Sequence, residues 1–558
     1  MNGNLLFLIA GSILILVIAY STYGALLKRL LDLRDDRKTP AEEINDGVDF
    51  VPAKKFYLLG QQLSAIAAAG PIVGPILAGL WFGWAPALLW ILLGSIFIGG
   101  VHDLTALVAS VRHQGKSIAE VIRENVGGWS YKLFLLFLWF SLVYIVTAFA
   151  DITASTFADA ESGPAVASSS MMYLGLALVM GVVMRRFRWS LTVSTVIFLP
   201  LVLVCIYLGR FFPLKIIPVA GIDVRTMWNI LLLFYCFIAS VIPVWLLLQP
   251  RGYLGGFFLV ITVGCSFAGI VIGGLMGHFK IEYPAFTQWF NPQHLPLFPV
   301  LFITVACGAC SGFHAIVSSG TTSKQLAKET DAKLVGYGGM LLEGVVAIIA
   351  LATLMILSSS KAAGLRDPNM IYANGIASFL NVFGIDRGFA LNFALLAFAT
   401  FVYDTLDVAT RLGRYLVEEV LNWRHWVTPY VAAILTLLLP MLFLMMKITD
   451  EQGNVLSTWK VFWSVFGASN QLLAGFVLFT VSLWLFRSRK KFLYALIPSF
   501  FMTFVALSSL CYILRPYWSL HGKLNLFHPV AVSSLVLLSL SILLIANGIK
   551  RFRKLATS

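Results

Sequence analysis

Long apolar stretches separated by short polar segments run through the whole chain. Because a membrane-spanning helix needs about 20 apolar residues, this pattern predicts fifteen transmembrane helices. No extended polar linker divides the chain, so the helices are expected to form a single all-α polytopic membrane domain over residues 1–558. The predicted spans are 4–27, 57–82, 84–111, 131–152, 169–184, 190–209, 226–250, 254–277, 297–320, 335–358, 388–410, 428–446, 459–485, 492–514 and 528–548.

Composition agrees with this assignment. The chain is 59% apolar and 12% charged, as expected of a polytopic membrane protein. The first apolar run, 4–27, has no basic segment before it and no small-residue cleavage site after it, so it is expected to remain as an extra N-terminal helix. Of the six cysteines, Cys307 and Cys310 form one CxxC, which without a second pair favours packing over metal or redox chemistry.

Basic residues are concentrated in alternate loops. Loops assigned to one side hold 29 of the 40 lysines and arginines, and the other side holds 11. The positive-inside rule then predicts an N-terminus outside and a C-terminus in the cytoplasm. The formal charge of +14 is dispersed, without a basic and aromatic surface, so the expected partner is the lipid bilayer and no nucleic acid is expected.

The second predicted span contains residues that break helices. Gly70-Pro71 and Gly74-Pro75 remove backbone donors and lower helix propensity, so the helix is expected to open near Ala68 to Pro75. Freed backbone groups at such an opening can bind ions or a substrate carboxylate. A packing kink, with neighbouring helices satisfying the backbone, is the alternative.

A second interruption lies five spans later, where Pro243 and Pro250 fall in a span that runs in the opposite direction. Paired interruptions in two inverted halves indicate the substrate site of a transporter. This predicts inverted repeats at 57–209 and 226–410, followed by additional C-terminal helices at 428–548. The substrate-binding candidates from the two interruptions are Ala68, Ala69, Gly70, Gly74, Ser240 and Pro243.

Several motifs resemble the carbon starvation protein A family of bacterial inner-membrane transporters. The residues concerned are "DGVDFVPAKKF" at 46–56, "AIAAAGPIVGP" at 65–75, "PVWLLLQPRGYL" at 243–254, "PLFPVLFITVACGACSGFHAIVSSGTTSKQL" at 296–326, "GYGGMLLEG" at 336–344, "ATRLGRY" at 409–415 and "FGASNQLLAG" at 466–475. The resemblance implies peptide uptake during carbon starvation or proton-coupled pyruvate uptake in the bacterial inner membrane. It also implies the five-plus-five inverted repeat of leucine-transporter-like proteins, with broken helices and added peripheral helices.

The chain departs from this family at three places. Gln61 and Gln62 stand where members commonly carry paired histidines, so a proton-sensitive role cannot be carried over to them. Gly252 replaces a common aspartate and His102 replaces a common glutamine. A titratable group can therefore have been relocated within this chain.

Ionisable residues inside spans are expensive, at roughly 2.5 kcal/mol or more, and so are functional candidates. Asp103, Glu343 and Asp404 are predicted to take part in ion coupling, with structural hydrogen bonding as the alternative for Glu343. Asp103 lies beside His102, about 100° around the helix, so the two are not expected to face one spot. Asp407 shares a face with Asp404, and is expected to form a salt bridge with Arg411 at the cytoplasmic end.

The ninth span carries a histidine and several hydroxyl side chains. His314 is a candidate for binding a substrate carboxylate, or for a simple helix contact. By analogy with leucine-transporter-like proteins, Ser318 and Ser319 are candidate cation ligands together with carbonyls near Ala68, whereas packing serines are the alternative. In the thirteenth span the amides Asn470 and Gln471 are expected to fasten the scaffold.

These observations favour a secondary active importer of a small carboxylate-bearing nutrient that works by alternating access. No P-loop, kinase or ATPase signature is present, so an ion gradient should supply the energy, and the protein is not expected to be an enzyme. No cofactor is expected beyond a bound proton or sodium ion. Alternatives of a different class are a redox subunit with His102 and His314 as haem ligands, and a starvation sensor that acts through a partner chain. Peptide or pyruvate, proton or sodium, and the oligomeric state all stay open.

Overall fold

The computed structural model describes residues 4–46, 50–218, 221–365, 367–421, 425–448, 456–518 and 528–556. Within these residues thirteen helices are long and apolar enough to cross a membrane, and a bent pair adds a fourteenth span. The thirteen are Leu5–Leu31, Trp84–Arg112, Gly128–Phe157, Gly163–Arg186, Leu191–Gly209, Val224–Val241, Leu248–Leu275, Glu329–Met355, Arg387–Leu421, Thr428–Met445, Thr458–Arg487, Leu493–Tyr517 and Pro529–Lys554.

The chain folds as two compact units, each assembled from separate stretches of sequence. Unit 1 consists of Met1–Leu6, Leu142–Tyr283 and Ala352–Phe462. Unit 2 consists of Phe7–Ser141, Pro284–Leu351 and Trp463–Ser558. The predicted repeats at 57–209 and 226–410 each contribute residues to both units.

The fourteen spans match fourteen of the fifteen predicted, and the exception is 297–320. This segment forms two helices of eight residues each, Leu297–Thr304 and Phe313–Gly320. The intervening residues 305–312 are not helical, and we call them break 2. The prediction of a continuous helix there is wrong, because break 2 has two glycines and no proline, so the sequence alone does not reveal where the apolar run opens.

The predicted opening of the second span is present as a bend of 50° between Lys55–Ile66 and Gly70–Phe82. It is shorter than predicted, because residues 70–75 belong to the second of these helices. The non-helical residues are 67–69, which we call break 1. It lies before the prolines because Pro71 occupies the first turn of the following half-helix. The missing backbone donor does no harm in a first turn, where it has no partner within the helix.

The second predicted interruption, at 239–254, is wrong. Pro243 lies after the end of helix Val224–Val241, and Pro250 lies in the first turn of helix Leu248–Leu275. Each helix is long enough to span the membrane alone, with 18 and 28 residues. These prolines mark helix ends, which sequence alone does not distinguish from a break in the middle of a span.

Candidate functional site

The two breaks lie against each other in unit 2, and glycines make the approach possible. A Cβ on Gly70 would stand 2.4 Å from Cys307 Sγ, and one on Gly74 would stand 2.5 Å from the Thr304 carbonyl oxygen. The half-helix Gly70–Phe82 packs on Leu297–Thr304, and Lys55–Ile66 packs on Phe313–Gly320. Two interrupted helices therefore run side by side, with buried small residues at both breaks.

Asn470 from helix Thr458–Arg487 holds break 2 in place. Its Oδ1 accepts the backbone N–H of Phe313 at 3.0 Å, and its carbonyl oxygen accepts that of Gly312 at 3.2 Å. Its Nδ2 donates to Ser311 Oγ at 3.0 Å and to Cys307 Sγ at 3.3 Å. Backbone donors exposed by the break thereby receive partners, which a buried helix end requires. The neighbouring Gln471 donates to the Phe302 carbonyl oxygen. Both amides fasten the break, as expected of scaffold residues.

His314 bridges two carboxyl groups directly after break 2. Its Nδ1 lies 2.8 Å from Asp103 Oδ2, and its Nε2 lies 3.1 Å from Glu343 Oε2. The other oxygen of Asp103 lies 2.8 Å from Nδ1 of His102. All four side chains are buried. The structure thus brings together three predicted site residues, Asp103, His314 and Glu343, from three different helices.

His102 and Asp103 contact each other although they are neighbours in sequence. The expectation that 100° of helical rotation keeps them apart is wrong, because the two side chains turn toward each other along the helix surface. His102 Nε2 has no hydrogen-bond partner within the part of the chain that the structure describes. We call His102, Asp103, His314 and Glu343 the carboxyl–imidazole cluster.

Two π-helical turns precede the acidic residues of this cluster. One covers Ser95–Gly99, just before Asp103, and the other covers Lys333–Gly338, just before Glu343. A π-turn inserts an extra residue per turn and so rotates the side chains that follow it. The register of both helices within the cluster therefore depends on these turns, which hydrophobic periodicity does not predict.

Comparisons with known proteins decide the family. The family model described as carbon starvation protein CstA matches residues 4–372 and 366–509 of this chain. The chain belongs to the carbon starvation protein CstA family. The resemblance found in its motifs is thereby confirmed.

Relatives in this family are transporters by name. The peptide transporter CstA of Helicobacter pylori (strain J99) is 33% identical over 550 residues, with coverage of 87% of this chain and 78% of that protein. The peptide transporter CstA of Bacillus subtilis is 30% identical, with coverage of 99% and 98%. The pyruvate/proton symporter BtsT of Escherichia coli is 30% identical, with coverage of 85% and 76%. These names confirm the predicted functional class, a secondary transporter.

Among solved structures, MhsT in complex with L-phenylalanine is similar in fold. The TM-score is 0.51 at 13% sequence identity, with coverage of 83% of this chain and 99% of that chain. MhsT has the leucine-transporter-like fold. The predicted fold class is confirmed, and at this identity the similarity concerns the fold alone.

In this CstA family member, Asp404 belongs to unit 1 and lies in a different charged cluster. Arg251 NH2 donates to Asp404 Oδ1 at 2.7 Å, and its NH1 lies 2.8 Å from Asp407 Oδ2. Tyr235 donates to the same oxygen of Asp407 at 2.9 Å. Arg251 is 0% exposed. We call Arg251, Asp404, Asp407 and Tyr235 the arginine cluster.

The sequence analysis does not identify Arg251 as a site residue, because Arg251 follows Pro250 and lies in the predicted loop between spans 226–250 and 254–277. The expected salt bridge between Asp407 and Arg411 is also wrong. Asp407 pairs with Arg251, while Arg411 donates from NH2 to the carbonyl oxygens of Ala239 and Ile242, each at 2.6 Å. The signal that was available is an arginine within hydrophobic residues, "LLLQPRGYLGGFFLV", which indicates a buried partner rather than a loop.

The remaining candidates lie outside the carboxyl–imidazole cluster. Ser240 donates to the Phe237 carbonyl oxygen at the end of its own helix in unit 1, and Pro243 is exposed in the following turn. Ser318 and Ser319 both donate to the Ala315 carbonyl oxygen, and Ser319 also accepts the N–H of Ile118 at 3.0 Å. The predicted cation site at these serines stays a prediction.

A further network, at the ends of membrane spans in unit 2, joins segments that are rich in basic residues. Buried Glu329 accepts from Arg112 Nε at 2.7 Å and from Arg37 NH1 at 3.2 Å. Arg37 also pairs with Asp32, which accepts from Arg34 as well. These hydrogen bonds lower the pKa of Asp32 to about 2. Asp32 therefore keeps its charge throughout the physiological range and takes no part in proton exchange there.

Proposed function

We propose that the protein imports a peptide, or a similar small carboxylate-bearing nutrient, across the bacterial inner membrane by alternating access driven by an ion gradient. The observation that carries this proposal is the pair of broken helices that lie together in unit 2. Breaks in adjacent helices free backbone groups inside a bundle, and transporters bind their cargo at such places. The short distances from a Cβ placed on Gly70 or Gly74 to Cys307 and Thr304 show how closely the two broken helices approach each other.

The half-helices give the proposed site its chemistry. Gly70–Phe82 begins at break 1 and Phe313–Gly320 begins at break 2. The N-terminal end of a helix carries partial positive charge, which favours a carboxylate. Both a peptide C-terminus and pyruvate provide that group. On this proposal Ala68, Ala69 and Gly70 remain the candidates for contact with the cargo.

The named relatives support peptide as the leading cargo and pyruvate as the second. Peptide transporters that are 30% and 33% identical match nearly the whole chain, and the pyruvate/proton symporter matches it at 30%. The proposal requires no cofactor other than the coupling ion, a proton or sodium. The haem alternative finds no support at His314, because both of its ring nitrogens face carboxyl oxygens rather than an open coordination position.

Uptake into proteoliposomes tests this proposal. The purified chain is reconstituted and supplied with a labelled dipeptide or labelled pyruvate, under an inward proton gradient, an inward sodium gradient or no gradient. We expect gradient-dependent accumulation of one cargo, and that result identifies both the cargo and the ion. Absence of uptake and exchange of either cargo, in vesicles that contain folded protein, would contradict the proposal.

The absorption spectrum of the purified protein distinguishes a haem-binding redox subunit, which shows a Soret band, from a transporter without haem. Absence of this band from the purified protein would eliminate the redox alternative. A starvation sensor requires a partner chain, so purification from starved cells, followed by identification of any stoichiometric companion, addresses that alternative.

A further inference from the structure

We infer that His314 carries the coupling proton, and that loss of this proton releases the half-helix Phe313–Gly320 from helix Gly339–Met355. The inference rests on the proposed function and specifies the ion, its binding site and the element that responds to it. It is drawn from the contacts of the carboxyl–imidazole cluster. The cargo moves with one proton, which binds to the cluster on one side of the membrane and leaves it on the other.

The charge of this cluster is set by bound protons alone. Asp103 and Glu343 form ion pairs only with imidazoles in the described part of the chain, and no lysine or arginine reaches them. In the arginine cluster, by contrast, Arg251 supplies a positive charge that is always present. A proton gained or lost at the carboxyl–imidazole cluster therefore changes the charge that is buried there, which is costly unless the structure responds.

Among the described residues, the other elements packed around the cluster form no ion pair with it. From break 2, the thiols of Cys307 and Cys310 lie close enough to interact electrostatically with Glu343. Helix Thr458–Arg487 contributes the uncharged amide Asn470 at break 2, and Lys55–Ile66 contributes the uncharged amide Gln62, which accepts from Thr322. His102 supplies the second imidazole, on the side of Asp103 away from His314.

The two carboxyl groups depend on His314 to different degrees. Asp103 has hydrogen-bonding contacts with the imidazoles of both His102 and His314. Glu343 has no hydrogen-bond donor among the described residues, and its partner is the charge at His314 Nε2, 3.1 Å away. A neutral imidazole has one N–H and one lone pair, whereas the charged ring has two N–H groups. Once the ring is neutral and its proton lies on Nδ1, the Nε2 lone pair faces the Glu343 carboxylate.

Proton loss therefore breaks the contact with Glu343 and leaves the one with Asp103. His314 is the second residue of the half-helix Phe313–Gly320, directly after break 2. Glu343 lies on a continuous helix, Gly339–Met355. The link between them is thus a contact between the half-helix that follows break 2 and a continuous helix, and its strength follows the proton. An element with two arrangements, biased by a bound proton, is what coupling requires.

The test separates exchange of cargo from accumulation. Exchange of labelled for unlabelled cargo at equal pH requires binding and reorientation but no net proton movement. Accumulation under a gradient of one pH unit, with the voltage clamped, requires coupling and reaches about tenfold for one proton per cargo. Glu343→Gln and His314→Gln remove the titrating groups. Glu161→Gln and His278→Gln are the matched controls, because both side chains are exposed.

We expect Glu343→Gln to keep exchange within about threefold, and we expect both Glu343→Gln and His314→Gln to lose accumulation, with the ratio falling to about one. The controls should accumulate cargo as the wild type does. Gradient-driven accumulation that survives in either cluster variant would overturn the inference, as would accumulation driven by sodium alone. A wild type that neither exchanges nor accumulates any cargo contradicts the proposed function itself, so the two failures are distinguishable.

A second measurement on the wild type covers the case in which a variant does not fold. Cargo is added to the purified protein in weakly buffered solution, and the pH of the medium is recorded between about pH 5.5 and 8, where an imidazole ordinarily titrates. We expect uptake of about one proton per protein within part of that range, because cargo and proton bind together. No proton uptake at any pH, although cargo binds, would overturn the inference.

Discussion

At the scale of single residues, the two buried clusters show two different uses of charge. Arg251 stays charged, so Asp404 and Asp407 have a permanent positive partner. His314 is charged only when it holds a proton, so Asp103 and Glu343 are held conditionally. The arginine cluster therefore suits a structural role, and the carboxyl–imidazole cluster suits a site that binds and releases a proton. Asp404 was predicted as a coupling residue, and its pairing with Arg251 favours the fixed role.

Removal of the Arg251 charge should destabilise unit 1 strongly. Arg251→Met leaves two buried carboxylates without their cation, and breaking a buried ion pair in this way costs about 3–5 kcal/mol. The measurement is the free energy of unfolding in detergent, with exposed Lys215→Met as the control. The control should shift stability by less than about 0.5 kcal/mol.

A combined variant identifies the cause of that loss. Arg251→Met together with Asp404→Asn and Asp407→Asn removes all three charges, so most of the lost stability should return. If the combined variant is as unstable as Arg251→Met alone, shape and hydrogen bonding rather than unpaired charge hold this cluster together. That result would refute the fixed-charge role given to Arg251.

At the scale of secondary-structure elements, the sequence predicts most of the helices correctly, but it predicts only one of the two helix breaks. Break 1 was anticipated from Gly70-Pro71 and Gly74-Pro75, because prolines and glycines weaken a helix locally. Break 2 carries no proline, and its opening is stabilised by Asn470 from a helix that is distant in the sequence. A break supported from elsewhere leaves little local signal.

The same limit applies to the candidate site. Asp103, Glu343 and His314 were each recognised as functional candidates, since a polar residue in a span is conspicuous. The contact among these three side chains is not predicted from the sequence. Asp103 and His314 are separated by 211 positions, and two π-turns change the direction in which the side chains of the following helices point. Periodicity at 3.6 residues per turn does not allow for such turns.

A methyl group at Gly74 should prevent the close approach of the two breaks. The added Cβ would stand 2.5 Å from the Thr304 carbonyl oxygen, a backbone atom that cannot move aside without shifting its half-helix. We expect Gly74→Ala to lower cargo uptake at least about tenfold and stability by about 1–3 kcal/mol, as overpacked sites do. Uptake in proteoliposomes and unfolding in detergent are the two measurements.

Gly60→Ala is the matched control, because Gly60 lies on the preceding half-helix and a Cβ there meets nothing within 4 Å. Alanine is the better helix former, so this variant should be unchanged or more stable by about 0.5–1 kcal/mol. Equal uptake by Gly74→Ala and Gly60→Ala would show that the contact between the breaks is dispensable for transport.

At the scale of the whole molecule, the number of crossings sets the sidedness of the two termini. Fourteen spans are present in the described residues as helices or a bent pair, and 297–320 with break 2 is the proposed fifteenth. The basic-residue count must also be corrected, because Arg251, Arg411 and Arg414 are buried. Without them the loops of the proposed cytoplasmic side hold 26 basic residues against 11, so the predicted orientation keeps its support.

Opposite sidedness of the two termini is therefore expected. A fluorescent protein fused to the C-terminus should fluoresce, since such fusions mature in the cytoplasm, and an epitope at the N-terminus should bind antibody on intact spheroplasts. An odd number of crossings requires this result, and it makes the broken segment with His314 a true crossing. If both termini lie on the same side, the number of crossings is even and 297–320 enters and leaves by one face. His314 would then reach only one aqueous side through its own segment, which is incompatible with a proton carried between the two sides.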